Sequence, residues 1–116
     1  MSGAINLLIA DDDPIVRDGL AAIFNYQDGI TVSATAANGV EALAAVERNL
    51  VDVALIDVDM PVLDGIAVAK ILGRDYPYIA VVMLTAFEHE ESLAQSLAAN
   101  VKVSSLKTFL ENSLPC

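Results

Sequence analysis

The chain carries one cysteine and one histidine in 116 residues. Cys116, at the last position, can close no internal disulfide and cannot build a cysteine-type zinc site. His89 alone rules out a histidine-rich metal centre. Basic residues are also scarce: 6 Lys plus Arg against 16 Asp plus Glu, a formal net charge of -10. That field repels a polyanion, so this domain alone is not expected to bind nucleic acid; cations and cationic protein surfaces are the better partners. No apolar run approaches the ~20 residues that span a bilayer. The start, "MSGAINLLIADDD", lacks the basic region of a signal peptide. No repeat, low-complexity tract or Gly/Ser linker divides the chain. These absences point to one cytoplasmic domain with no membrane partner.

What is abundant is apolar: 55% of the residues, arranged so that short strand-like runs alternate with helix-period segments. "AINLLIA" (4–10) reads as a buried strand. Asp13 and Pro14 then supply an N-cap and a proline at the first helical position. Val16, Leu20, Ile23 and Phe24 mark one face of the helix that follows. "ITVSATA" (30–36) is a second strand. After the "ANG" turn, Val40, Leu43, Val46 and Leu50 mark a second helix. "DVALID" (52–57) is the third strand, Val68, Ile71 and Leu72 give a third helix ended by Tyr76-Pro77, and "IAVVML" (79–84) is the fourth strand. A helix carrying Leu93 and Leu97 follows, then a weak, polar fifth strand "VKVSSLK" (101–107) and a short "TFLENSL".

The alternation predicts an α/β fold: a flavodoxin-like, doubly wound, five-stranded parallel sheet of order 2-1-3-4-5, its last helix short or absent. Such sheets bind ligands beyond the carboxyl ends of their strands, at the switch point between the first and third. Asp11 and Asp12 end the first strand and Asp57 ends the third, so the topology brings them to one crevice. Two like charges ~4 Å apart cost on the order of 4 kcal/mol at an effective dielectric of 20. A cation reverses that sign, and hard carboxylate oxygens select Mg²⁺ or Mn²⁺. With a metal in place Asp57 becomes a nucleophile toward an anionic phosphoryl group. Thr85, beyond the fourth strand and followed by the small Ala86, offers a hydroxyl to that group; Lys107, after the fifth, offers an ammonium. The reading requires Asp57 to lie within reach of solvent.

The acidic run in "LLIADDDP", the segment "LIDVDMPVLDG", the hydroxyl in "VVMLTAF" and the lysine in "SSLKT", in this order and spacing, resemble the response-regulator receiver domain of two-component systems. "ADDDPIVRDGL" and "LTAF" resemble its NarL/LuxR-type subfamily. The resemblance covers nearly the whole chain, and it implies that Asp57 accepts a phosphoryl group from a sensor histidine kinase. Asp11, Asp12, the Asp57 carboxylate and the Asp59 backbone carbonyl then hold the metal. Thr85, Ala86 and Lys107 bind the phosphoryl oxygens and switch the neighbouring face. Pro61 and Gly65 shape the turn after Asp57. The implied protein is a signalling switch, an enzyme only in catalysing its own phosphotransfer and dephosphorylation. It dimerises on activation and regulates transcription through a C-terminal helix-turn-helix DNA-binding domain that these residues do not contain.

Three features depart from the family pattern. Ser104 stands where receivers commonly carry a switch aromatic, leaving Phe87 as the nearby aromatic candidate. Asn100 and Val103 replace the usual glycines. Little chain follows Lys107, so either the sequence is cut short or its output face is unusual or formed by exchange with a partner. Two rival readings differ in class. The "DVD" of Asp57 and Asp59 also matches the nucleophile motif of haloacid-dehalogenase-like phosphatases. A pseudo-receiver would fold the same way but serve only as a binding module.

Overall fold

The computed structural model describes residues 4–84 and, as backbone, residues 101–104. It contains β1 (Ile5–Ala10), α1 (Pro14–Asn25), β2 (Ile30–Ala36), α2 (Gly39–Arg48), β3 (Val53–Asp57), α3 (Gly65–Asp75), β4 (Ala80–Leu84) and β5 (Val101–Ser104). All strands are parallel, in the order β2-β1-β3-β4-β5. The expected doubly wound order is therefore observed. The predicted helix through Leu93 and Leu97, the final "TFLENSL", Thr85, Ala86, Phe87 and Lys107 lie outside the described residues.

The strand residues divide by parity, and that division shows that both faces of the sheet are covered. Leu8, Ala10, Ala54, Ile56, Val81 and Met83 pack with Ala42 and Val46 of α2 and Val68, Ala69 and Leu72 of α3. Leu7, Ile9, Leu55 and Leu84 point the other way, onto Val16 and Leu20 of α1. A parallel strand buried on both faces must be apolar along its whole length, which is why these runs read as continuous rather than alternating.

Helix starts are set locally. Asp13 accepts the Ile15 amide (2.9 Å) and Pro14 opens α1, as its sequence predicts. Asn38 caps α2 through the Glu41 amide (2.9 Å), while Glu41 reaches back to accept from the Ala37 amide (2.9 Å), a near relative of the capping box. Asp64 caps α3 through the Ala67 amide (2.9 Å).

One helix face differs from the sequence expectation. The buried residues of α2 are Gly39, Ala42 and Val46, with Val40 54% exposed. The helix stops at Arg48, and Leu50, expected on the buried face, is 78% exposed. Asn49, in extended backbone, ends the helix, and its side chain donates to the Ala45 carbonyl (3.0 Å). Ile23 of α1 is likewise exposed rather than buried. Two of the three buried residues of α2, Gly39 and Ala42, are small, and small residues leave little hydropathic trace.

Between β3 and α3 the chain turns sharply. Met60 is buried and Leu63 packs on the core shared with α2 and α3, whereas Val62 is exposed. Val62 has φ 72°, the left-handed region that a β-branched residue rarely enters. Such a conformation costs of the order of 1–3 kcal/mol. Glycine occupies it freely but gives up ~0.5–1 kcal/mol of unfolded-state entropy. Val62→Gly is therefore expected to stabilise the protein by about 1 kcal/mol in urea unfolding; a loss of stability would show that the turn is not strained.

Candidate phosphoacceptor and metal site

Strand register builds the site. Ala10 pairs with Ala36 on one side and Ile56 on the other, so the next residues, Asp11 and Asp57, leave the sheet side by side at its carboxyl edge. Asp57 itself pairs with Leu84 of β4. Carboxylate oxygens of Asp11, Asp12 and Asp57 all lie within 4.8 Å of one another. The three acids singled out in the sequence thus converge, as the switch-point topology requires.

Their environments differ. Asp11 is fully buried and Asp57 is 1% exposed, while Asp12 is exposed. Asp11 Oδ1 accepts the Asp13 amide (2.8 Å), and its own amide donates to the Ala36 carbonyl (3.0 Å). Asp57 Oδ1 accepts the Asp59 amide (3.2 Å). These bonds fix the two buried carboxylates from their own loops, leaving Asp12 as the member that faces water.

The burial of Asp57 corrects the sequence expectation that it lies within reach of solvent. It ends a central strand, with β1 and β4 on either side, and the Val58–Asp64 turn folds back onto it. Val58 donates to the Leu84 carbonyl (3.1 Å) and accepts from the Gly65 amide (3.0 Å). A Cβ placed on Gly65 would fall on the Asp57 carbonyl oxygen, 2.8 Å from the Asp57 carbonyl carbon and 2.9 Å from Val58 Cα. Gly65, which the resemblance places in shaping this turn, does so by permitting close approach between backbones.

Asp59 is exposed, and its side chain is not a member of the acidic group. That arrangement does not favour the phosphatase reading, which needs a second aspartate placed as general acid beside the first. Arg17 was not foreseen: its Nη1 donates to the Asp11 carbonyl (2.8 Å), tying α1 to the loop that presents Asp11 and Asp12. The available signal was a lone basic residue one helical turn after the cap, in a chain with few of them.

The family model for the response regulator receiver domain matches residues 7–115. The chain belongs to that family. Among relatives of this receiver domain is YhcZ, an uncharacterized transcriptional regulatory protein of Bacillus subtilis (strain 168). It is 37% identical over 103 residues, covering 89% of this chain and 48% of that protein. The oxygen regulatory protein NreC of Staphylococcus epidermidis (strain ATCC 12228 / FDA PCI 1200) is 35% identical over 111 residues, 95% of this chain and 51% of its own. The chain spans about half the length of these curated relatives. The signal receiver domain of NarL from Mycobacterium tuberculosis shares the fold, with a TM-score of 0.72 at 24% identity over 96% of this chain and 97% of that one. Among the described residues of the receiver domain, no helix is long and apolar enough to cross a membrane.

Proposed function

We propose that this receiver domain is a phosphorylation-dependent switch whose acceptor is Asp57, in a NarL/LuxR-type regulator of transcription. The observation that carries the reading is the convergence of Asp11, Asp12 and Asp57 on one point at the switch of the sheet. The donor set suits a small hard cation: three carboxylates, two of them held in place by the Asp13 and Asp59 amides. Asp11, Asp12 and Asp57 would hold Mg²⁺ or Mn²⁺, with the Asp59 backbone carbonyl as a further oxygen. When bound, the ion neutralises charge on the acceptor and on the incoming phosphoryl oxygens.

Asp57 then supplies a carboxylate oxygen to phosphorus. The new O–P bond forms as the bond from phosphorus to a phosphohistidine nitrogen, or to the acyl oxygen of acetyl phosphate, breaks. The electron pair of that bond leaves with the imidazole or the acetate. The Asp59 amide steadies the other oxygen of the Asp57 carboxylate. The Asp57 carboxylate shares its point with that of exposed Asp12, so a donor would approach from the side of Asp12. Thr85 and Lys107 would bind the transferred group, with Ala86 leaving room for it. Phe87 would follow the resulting shift in place of the aromatic that Ser104 lacks.

The donor would be a cytoplasmic sensor histidine kinase, the activated state a homodimer, and the output a DNA-binding domain C-terminal to this one. The transcriptional part rests on the regulatory relatives.

The test is intact mass after incubation with acetyl phosphate. An adduct of ~80 Da is expected with Mg²⁺ and none with EDTA. No adduct with either a small donor or a kinase would favour a pseudo-receiver that acts only as a binding module.

A further inference from the structure

We propose that Gly39, the first residue of α2, is a positioning residue for the phosphoacceptor; this rests on the reading of Asp57 given above. Gly39 is buried and contributes nothing to the acidic group. Yet a Cβ built on it would fall on the Leu63 carbonyl oxygen, 2.7 Å from Leu63 Cβ and 2.8 Å from Val68 Cγ2. Leu63 belongs to the turn that leaves Asp57. The bare Cα of Gly39 is the surface on which that turn is seated.

Neither side of this contact can retreat at low cost. On the helix side, the Asn38 and Glu41 bonds fix the first turn of α2, and Ala42 and Val46 are buried against the sheet. On the turn side, Leu63 donates to the Pro61 carbonyl (2.8 Å), Gly65 to Val58 (3.0 Å) and Val68 to Asp64 (3.1 Å), with Val62 already in the left-handed region. The turn is thus gripped between two bare Cα atoms, Gly65 against the Asp57 carbonyl and Gly39 against Leu63. Pushing Leu63 outward moves the Val58–Asp59 segment, whose Asp59 amide donates to Asp57 Oδ1. Mispositioning of a reacting group by an ångström can cost on the order of 100-fold in rate.

The test compares Gly39→Ala with Val40→Ala, an exposed neighbour on the same helical turn. Adduct formation from acetyl phosphate is followed by intact mass, at a temperature where circular dichroism shows both variants fully folded. Gly39→Ala is expected to slow phosphorylation by about 10-fold, and Val40→Ala by less than about twofold. Adding Leu63→Gly, which removes the Cβ 2.7 Å away and frees the backbone that carries the facing carbonyl to shift, is expected to recover part of the rate; a role confined to global stability would leave the folded Gly39→Ala at the wild-type rate. If Gly39→Ala alone fails to fold, Gly39→Ala/Leu63→Gly is compared with Leu63→Gly, and the double variant should be the slower. A folded Gly39→Ala that reacts at the wild-type rate, or a double variant as fast as Leu63→Gly, overturns the positioning role while leaving Asp57 as acceptor. A wild-type chain that takes up no phosphoryl group overturns the acceptor reading itself, and this proposal with it.

Discussion

Asp57→Asn is expected to abolish the phosphoryl adduct while leaving the circular dichroism spectrum unchanged. Asparagine has nearly the shape of aspartate and keeps an oxygen that can accept the Asp59 amide. It lacks the anionic oxygen that attacks phosphorus and withdraws one charge from the metal group. Asp59→Asn, by contrast, should retain the adduct, because the Asp59 side chain is exposed and its hydrogen bond to Asp57 comes from the backbone N–H, which asparagine keeps. Intact mass on the pair separates two chemistries. Loss of the ~80 Da adduct in Asp57→Asn alone supports the acceptor assignment. Persistence of the adduct in that variant would move the acceptor elsewhere.

Gly65→Ala is expected to cost about 3 kcal/mol of folding stability and, in whatever fraction folds, to cut phosphorylation by at least about tenfold. Two effects oppose each other. Alanine improves helix propensity by up to ~1 kcal/mol at the start of α3. Against that, its methyl group would fall on the Asp57 carbonyl oxygen, with the Asp57 carbonyl carbon 2.8 Å away. The obstacle is backbone of a central strand, paired on both sides, and cannot swing aside as a flexible side chain would. Overpacking wins. Urea unfolding checks the stability; a variant as stable as wild type would mean that the Val58–Asp64 turn yields freely.

Much of this architecture is legible in the residues because both strand and helix signals are local. Unbroken apolar runs such as "LLIA" and "ALI" announce strands covered on both faces, and Asp13-Pro14 announces the start of α1. Asp11, Asp12 and Asp57 could be brought together from topology alone, since the first two are the residues just beyond β1, the third closes β3, and neighbouring parallel strands end in register. What was illegible depends on long-range packing. Nothing local says that α2 buries Gly39 and Ala42 and leaves Val40 in water; that follows from tertiary packing, which sets Gly39 against Leu63 and Val68. The burial of Asp57 depends on what surrounds the end of its strand, and the contact between Gly39 and Leu63 joins residues far apart in sequence. The left-handed Val62 contradicts its own intrinsic preference, a tertiary override that no pattern of valines foretells. Arg17 reaches a backbone carbonyl, and its place one turn after the cap of α1 is a faint signal that does not name the acceptor.

The central claim is that Asp11, Asp12 and Asp57 together hold a divalent cation. The most direct measurement is paramagnetic broadening of amide NMR signals on titration with Mn²⁺. The account predicts broadening centred on residues 11, 12, 57 and 59, displaced by Mg²⁺. Asp12→Asn should weaken it about 30-fold or more, since one carboxylate ~4 Å from a divalent ion is worth about 2 kcal/mol even at the dielectric of water. Broadening centred elsewhere, or a titration that Asp12→Asn leaves unchanged, would contradict it.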